Sequence, residues 1–148
     1  MRNKVSSVIS IIIIIFGVIF IIFIGKPLPI SFSKIDKIEF YDYAANFNED
    51  NPNNLEEHKL LALTDRDDIA EVNKILKKAR SMRDHSPACP FGIRVVLFRE
   101  NKKIILKLGT DDCGKLIYKN KYYILPREDF KALQKILEQH GIDIHDFI

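Results

Sequence analysis

Residues 92–110 read GIRVVLFRENKKIILKLGT. Two runs rich in aliphatic, β-branched and aromatic residues flank a polar centre. The pattern predicts a β-hairpin, 92–99 with 103–110, turning at Asn101-Lys102. In that register Leu97 faces Leu106, Val95 faces Leu108 and Glu100 faces Lys103, while Phe98 meets Ile105 on the other side. The turn lacks the Asn-Gly pair that a two-residue loop favours, so a loop one residue longer is also compatible.

The only two cysteines stand at the open end of this hairpin, Cys89 before it and Cys113 after it. The register puts Cys89 opposite residue 114, one position from Cys113. A Cα separation of about 5–6 Å follows, as a disulfide needs. Two buried free thiols are the plain alternative. A zinc site adding His85 and Asp111 or Asp112 uses suitable ligand types, but structural zinc sites typically show tighter paired spacings. A Cys-x-x-Cys redox motif is absent.

On the N-terminal side, residues 35–43 alternate and predict a first strand. Residues 46–54, NFNEDNPNN, form a turn-rich loop, and 58–63 predict a second strand paired with the first. Thr64 then caps a helix with Asp65, Asp67 and Asp68 in its first turn, where carboxylates favour the exposed amides. Ile69, Val72, Ile75, Leu76, Ala79 and Met82 share one face of it. On the C-terminal side, 116–118 and 122–125 predict a hairpin around Lys119-Asn120-Lys121. Pro126 opens a second helix with Phe130, Leu133, Ile136 and Leu137 on its apolar face, and Gly141 ends it. The tail 142–148 adds an edge strand or docks. The expected class is α+β, in the order β-β-α-β-β-β-β-α: an antiparallel sheet with two helices packed on one face.

Residues 5–25, VSSVISIIIIIFGVIFIIFIG, carry no charge. As a helix they measure about 31 Å, close to the hydrocarbon thickness of a bilayer. The stretch is apolar all round, which suits lipid rather than the core of a small domain. Arg2, Lys4 and the α-amino group precede it without any acid, and this favours a cytoplasmic N-terminus. The apolar stretch exceeds the core of a signal peptide, and Phe23 disfavours a small-x-small cleavage site ending at Gly25. The expected organisation is a cytoplasmic N-terminus (1–4), a transmembrane signal-anchor helix (5–25), a linker (26–33) and an extracytoplasmic domain (34–148) in a single-pass cell-membrane protein. An oxidising exterior would keep the Cys89–Cys113 bond closed.

The chain of 148 residues has a formal net charge of +3. Removing Arg2 and Lys4 from its 23 basic residues leaves 21 against 20 acids, a net of +1. That balance argues against a nucleic-acid partner, though it leaves room for a local basic patch. No glycine-rich phosphate loop, Gly-x-Ser-x-Gly or His-Glu-x-x-His occurs. The acidic stretches 48–54 and 65–68 lack the pattern of a calcium loop. His140 and His145 straddle Gly141 and do not share a helix face, and His58 stands near a strand start. Tyr41, Tyr43, Tyr118, Tyr122 and Tyr123 are candidates for a ligand or partner surface, against the ordinary role of half-buried strand residues. The residues point to no catalytic, cofactor-binding or metal site, and the one pairing they support is the Cys89–Cys113 disulfide. The expected role is non-catalytic: a protein-interaction, inhibitory or envelope-assembly module with another envelope protein as partner. The alternative is a small-ligand or metal-sensing domain with a pocket lined by the tyrosines. An enzyme would need His85 converging with Asp111 or Asp112.

Overall fold

The computed structural model describes residues 25–42, 58–82 and 89–147. The expected membrane span, apart from Gly25, lies outside these residues, as do Tyr43, the 46–54 loop and His85. Among the described residues no helix is long and apolar enough to cross a membrane.

The fold is α+β. Seven strands, β1 (Ile35–Asp42), β2 (Lys59–Leu63), β3 (Arg80–Ser81), β4 (Ile93–Arg99), β5 (Lys102–Leu108), β6 (Lys115–Tyr118) and β7 (Lys121–Ile124), form one sheet in the order β2-β1-β4-β5-β6-β7-β3. Every neighbouring pair is antiparallel. Two helices, α1 (Arg66–Leu76) and α2 (Arg127–Gln139), pack on one another. A short 3-10 helix, Ile144–Phe147, closes the described chain.

The alternation of the strands decides which sheet face the helices cover. Ile38 and Phe40, Ile93, Val95 and Leu97, Leu106 and Leu108, Leu116 and Tyr123 all point to one side. They form a single cluster with Ile69, Val72, Ile75 and Leu76 of α1 and Phe130, Leu133, Ile136 and Leu137 of α2. Burial of this apolar face, worth about 25 cal/mol per Å², is the main force holding the layers together.

The central hairpin forms, but its register differs from expectation by two residues. Val95 pairs with Leu106 and Leu97 with Ile104, and the turn is Glu100-Asn101. Glu100 takes the left-handed conformation, φ 55°. Its carboxylate meets Lys34 at 2.9 Å rather than Lys103. A two-residue slip keeps every side chain on its own face, so the core is unchanged. The β6–β7 turn is also tighter than expected. It has two residues, Lys119 and Asn120, with φ 48° and 59°. Positive φ at both central positions is the signature of a type I′ turn, whose twist matches the strands it joins.

The cap of α1 is Asp65, not Thr64. Its side chain accepts from the amides of Asp67 and Asp68. The second helix begins after Pro126 and ends as expected at Gly141, φ 80°. There Gly141 N donates to the Glu138 carbonyl and Ile142 N to the Leu137 carbonyl, the two bonds of a Schellman motif. The tail docks rather than adding a strand, burying Ile142 and Ile144.

Residues 26–33 form no regular element beyond the bridge of Pro27 to Arg80, yet they do not hang free. Leu28 and Phe32 are 5% and 7% exposed and belong to the core cluster. Leu28 N donates to the Ala79 carbonyl and Ser81 N to the Lys26 carbonyl. The stretch expected to be a linker is thus the first piece of the domain, and β3 is the short strand it lies against.

Candidate functional site

The sheet has a second face, to which β1 contributes Lys37, Glu39 and Tyr41. β4 adds Arg94, Val96 and Phe98, and β5 adds Lys103, Ile105 and Lys107, as the pairing requires. The same alternation brings Lys59 of β2, Lys115 and Ile117 of β6 and Tyr122 of β7 to this side. With Arg80 of β3, opposite Ile124, seven cations therefore share one sheet face with a single carboxylate among the described residues. The near-neutral charge of the whole domain hid this segregation, which is the local basic patch the composition left open.

Glu39 is the centre of the face. It is 4% exposed. Lys37 Nζ lies 3.1 Å and Lys59 Nζ 3.4 Å from its Oε1, and the Tyr41 hydroxyl donates to Oε2. Burial pushes its carboxyl upward. The hydrogen bonds from Tyr41 and Lys37 and the charges of Lys37 and Lys59 overcome that and hold it below the ordinary carboxylate range. Tyr41 and Arg94 are buried beside it, at 4% and 2% exposure. Toward the β4–β5 turn the face becomes mixed. The Phe98 ring carries Lys37 Nζ at 4.1 Å and Lys103 Nζ at 5.4 Å from its centroid. Ile105, 44% exposed, stands one residue pair away opposite Val96.

The tyrosines divide between the faces. Tyr41 and Tyr122 stand on the second face, the latter against Phe91 with ring centroids 6.2 Å apart. Tyr118 and Tyr123 turn toward the helices, where burial, aided by Tyr118, raises the Tyr123 hydroxyl pKa. The cleft of about 590 Å³ between the start of β1 and α1 is lined by Lys34, Asp36, Thr64, Arg66, Asn73 and Glu100 among others, and by no tyrosine. In its wall the Asn73 amide oxygen is buried and makes no hydrogen bond.

Cys89 and Cys113 form the expected disulfide, with Cα atoms 6.5 Å apart. It packs against the backbone of Gly109, where a methyl group would lie 2.6 Å and 2.8 Å from the two sulfurs. The Asp111 carboxylate accepts from Cys113 N at 3.1 Å and lies 2.8 Å from Cys89 Sγ. These three residues bring possible metal donors within 4.8 Å of one another. Joined in a disulfide, the two sulfurs offer no thiolate to a metal. Asp112 accepts from Gln134 at 3.4 Å. Thus Asp111 and Asp112 are both engaged near the bridge. His140 pairs with Asp68 at 3.3 Å, tying the end of α2 to the start of α1. His58 is half-buried just before β2, and His145 is exposed in the 3-10 helix.

Comparison with protein-family models, with curated proteins and with solved structures finds no match for this chain.

Proposed function

We propose that the chain is a single-pass membrane protein, with residues 1–4 cytoplasmic and residues 5–25 as an uncleaved anchor. Its α+β domain lies outside the cytoplasm and serves as a non-catalytic module that binds another envelope protein. The observation that carries the binding role is the asymmetry of the sheet. One face is closed by α1 and α2, and the other exposes Lys103 and Ile105, with Lys37 and Phe98 half-buried beside them, on a face whose cations outnumber its carboxylates among the described residues. Such a face suits a partner surface that is acidic with apolar gaps. Glu39 supports a structural rather than a catalytic role, because its neighbours keep it ionised and ion-paired. The anchor rests on the uncharged stretch and its basic leading end, and the disulfide agrees with an oxidising exterior.

A photoreactive residue at Ile105 in intact cells is expected to capture a defined protein. The same residue at Ala70, exposed on α1, is expected to leave it uncaptured. Identical adducts from both positions, or none from Ile105, would refute this role. A second reading, small-ligand sensing, draws on the cleft beside Asn73, whose buried amide oxygen lacks a donor. A ligand carrying an N–H or O–H would supply one, and a raised melting temperature lost in Asn73→Leu would identify it.

A further inference from the structure

Gly25, where the uncharged stretch ends, is already part of the folded domain. A side chain at this position would collide with the Ser81 carbonyl. Lys26 N donates to Ser81 Oγ at 2.8 Å, Ser81 N donates back to the Lys26 carbonyl at 2.7 Å, and Pro27 bridges to Arg80. A flexible tether of eight residues would let the domain wander by about 15 Å. Here the chain enters the domain with no slack, so an anchor ending at Gly25 brings this edge of the sheet to the membrane with it.

The surroundings of that entry are distinctive. Met82 N donates to the Tyr122 carbonyl, so Gly25, against Ser81, stands one strand away from the start of β7, at the same end of the sheet. That end of the sheet also carries the β6–β7 turn, with exposed Lys119 and Lys121, while exposed Lys26 follows Gly25. On the adjoining strands the Phe91 and Tyr122 rings contact each other, and Lys119 Nζ is 5.4 Å from the centre of the Tyr118 ring. No Asp or Glu occurs in residues 25–35, 79–82, 89–99 or 113–127. The entry end of the sheet therefore carries Lys26, Lys119 and Lys121, with aromatic side chains on the adjoining strands. Lysine is drawn to anionic lipid headgroups and aromatic side chains to the membrane–water boundary.

We propose that this edge of the sheet rests on the membrane surface, with Lys26, Lys119 and Lys121 against acidic lipid headgroups. The proposal rests on the anchoring reading above. It fixes the orientation of the module: the domain does not swing on a stalk, and its second sheet face stands at a set angle to the bilayer.

The test uses the full chain in nanodiscs of phosphatidylcholine, alone or mixed with phosphatidylglycerol. Surface amines are acetylated with a membrane-impermeant reagent and quantified by mass spectrometry. Lys131 and Lys135, exposed on α2, are the internal reference. In the anionic discs Lys119 and Lys121 are expected to react roughly fivefold more slowly relative to the reference than in neutral discs. Raising the salt, which shortens the range of charge attraction, is expected to remove the difference. Equal relative rates in both discs, with the chain retained in them, would overturn the seating alone. A chain that elutes apart from the discs would overturn the anchoring as well.

Discussion

Replacing Phe32 by alanine tests whether the stretch after the uncharged segment belongs to the folded domain. Phe32 is 7% exposed and shares the core with Leu28. Truncating a buried phenylalanine costs the transfer energy of the ring and the cavity it leaves, typically 3–5 kcal/mol. Phe32 lies at the margin of the core, and it is not among the side chains that are buried completely. The lower end, about 3 kcal/mol, is therefore expected. That is a large share of the roughly 5–15 kcal/mol that holds a domain of this size. With a urea slope of about 1.5 kcal/mol per molar, the midpoint should fall by roughly 2 M. Far-ultraviolet circular dichroism is the suitable probe, because the chain has no tryptophan. Pro29→Ala, at an exposed position in the same stretch, is the control and should leave the midpoint nearly unchanged. If Phe32→Ala and Pro29→Ala both shift it negligibly, residues 26–33 are a spacer and the reasoning fails.

Three further outcomes follow from the geometry. Reducing the Cys89–Cys113 bridge, which spans a sequence separation of 24, should lower stability by about 3.5 kcal/mol in the chain-entropy model. Denaturation with and without reductant reads this directly, and a Cys89→Ala/Cys113→Ala variant should become insensitive to reductant. Glu39→Gln should flatten the acid limb of the stability curve. The folded carboxyl lies below its ordinary value near 4.5, so its contribution is full above that pH and fades as pH falls through the folded value. The gap between wild type and variant should therefore narrow on acidification, and a gap that widens would contradict the ion pairs. Converting the β6–β7 turn by Lys119→Asn and Asn120→Gly should raise stability by roughly 1 kcal/mol, since both positions have positive φ. A loss of stability in thermal melts would refute the type I′ assignment.

The parts of the fold legible in the sequence are those with long periodic signals. The faces of α1 and α2, the alternation of β4 and β5, and the Pro126 and Gly141 boundaries all repeat or punctuate over many residues. The hairpin register was not legible, because the two candidate registers place identical residues on identical faces. Turn chemistry should have decided between them, but the left-handed position is filled by Glu100 instead of the Asn or Gly that would reveal it. An apparent Glu100–Lys103 pair pointed the wrong way, and Lys34, distant in sequence, takes that carboxylate. Strand β3 has two residues and therefore no period to read. Leu28 and Phe32 are separated by Pro29 and flanked by Pro27, so the prolines signalled an extended chain while the two buried side chains were too few to signal packing. The basic sheet face was within reach. The wide alternation of Lys103, Ile105 and Lys107 marks one side of β5, but the partners Lys37, Lys59, Arg94 and Lys115 come together only through the strand order.

The account stands most directly on where the domain lies. Intact cells can be treated with a membrane-impermeant maleimide, before and after an impermeant reductant, and then fractionated. The account predicts a chain in the membrane fraction whose cysteines become labelled from outside only after reduction. Label that appears without reduction, only after lysis and on a chain in the soluble fraction, would contradict it.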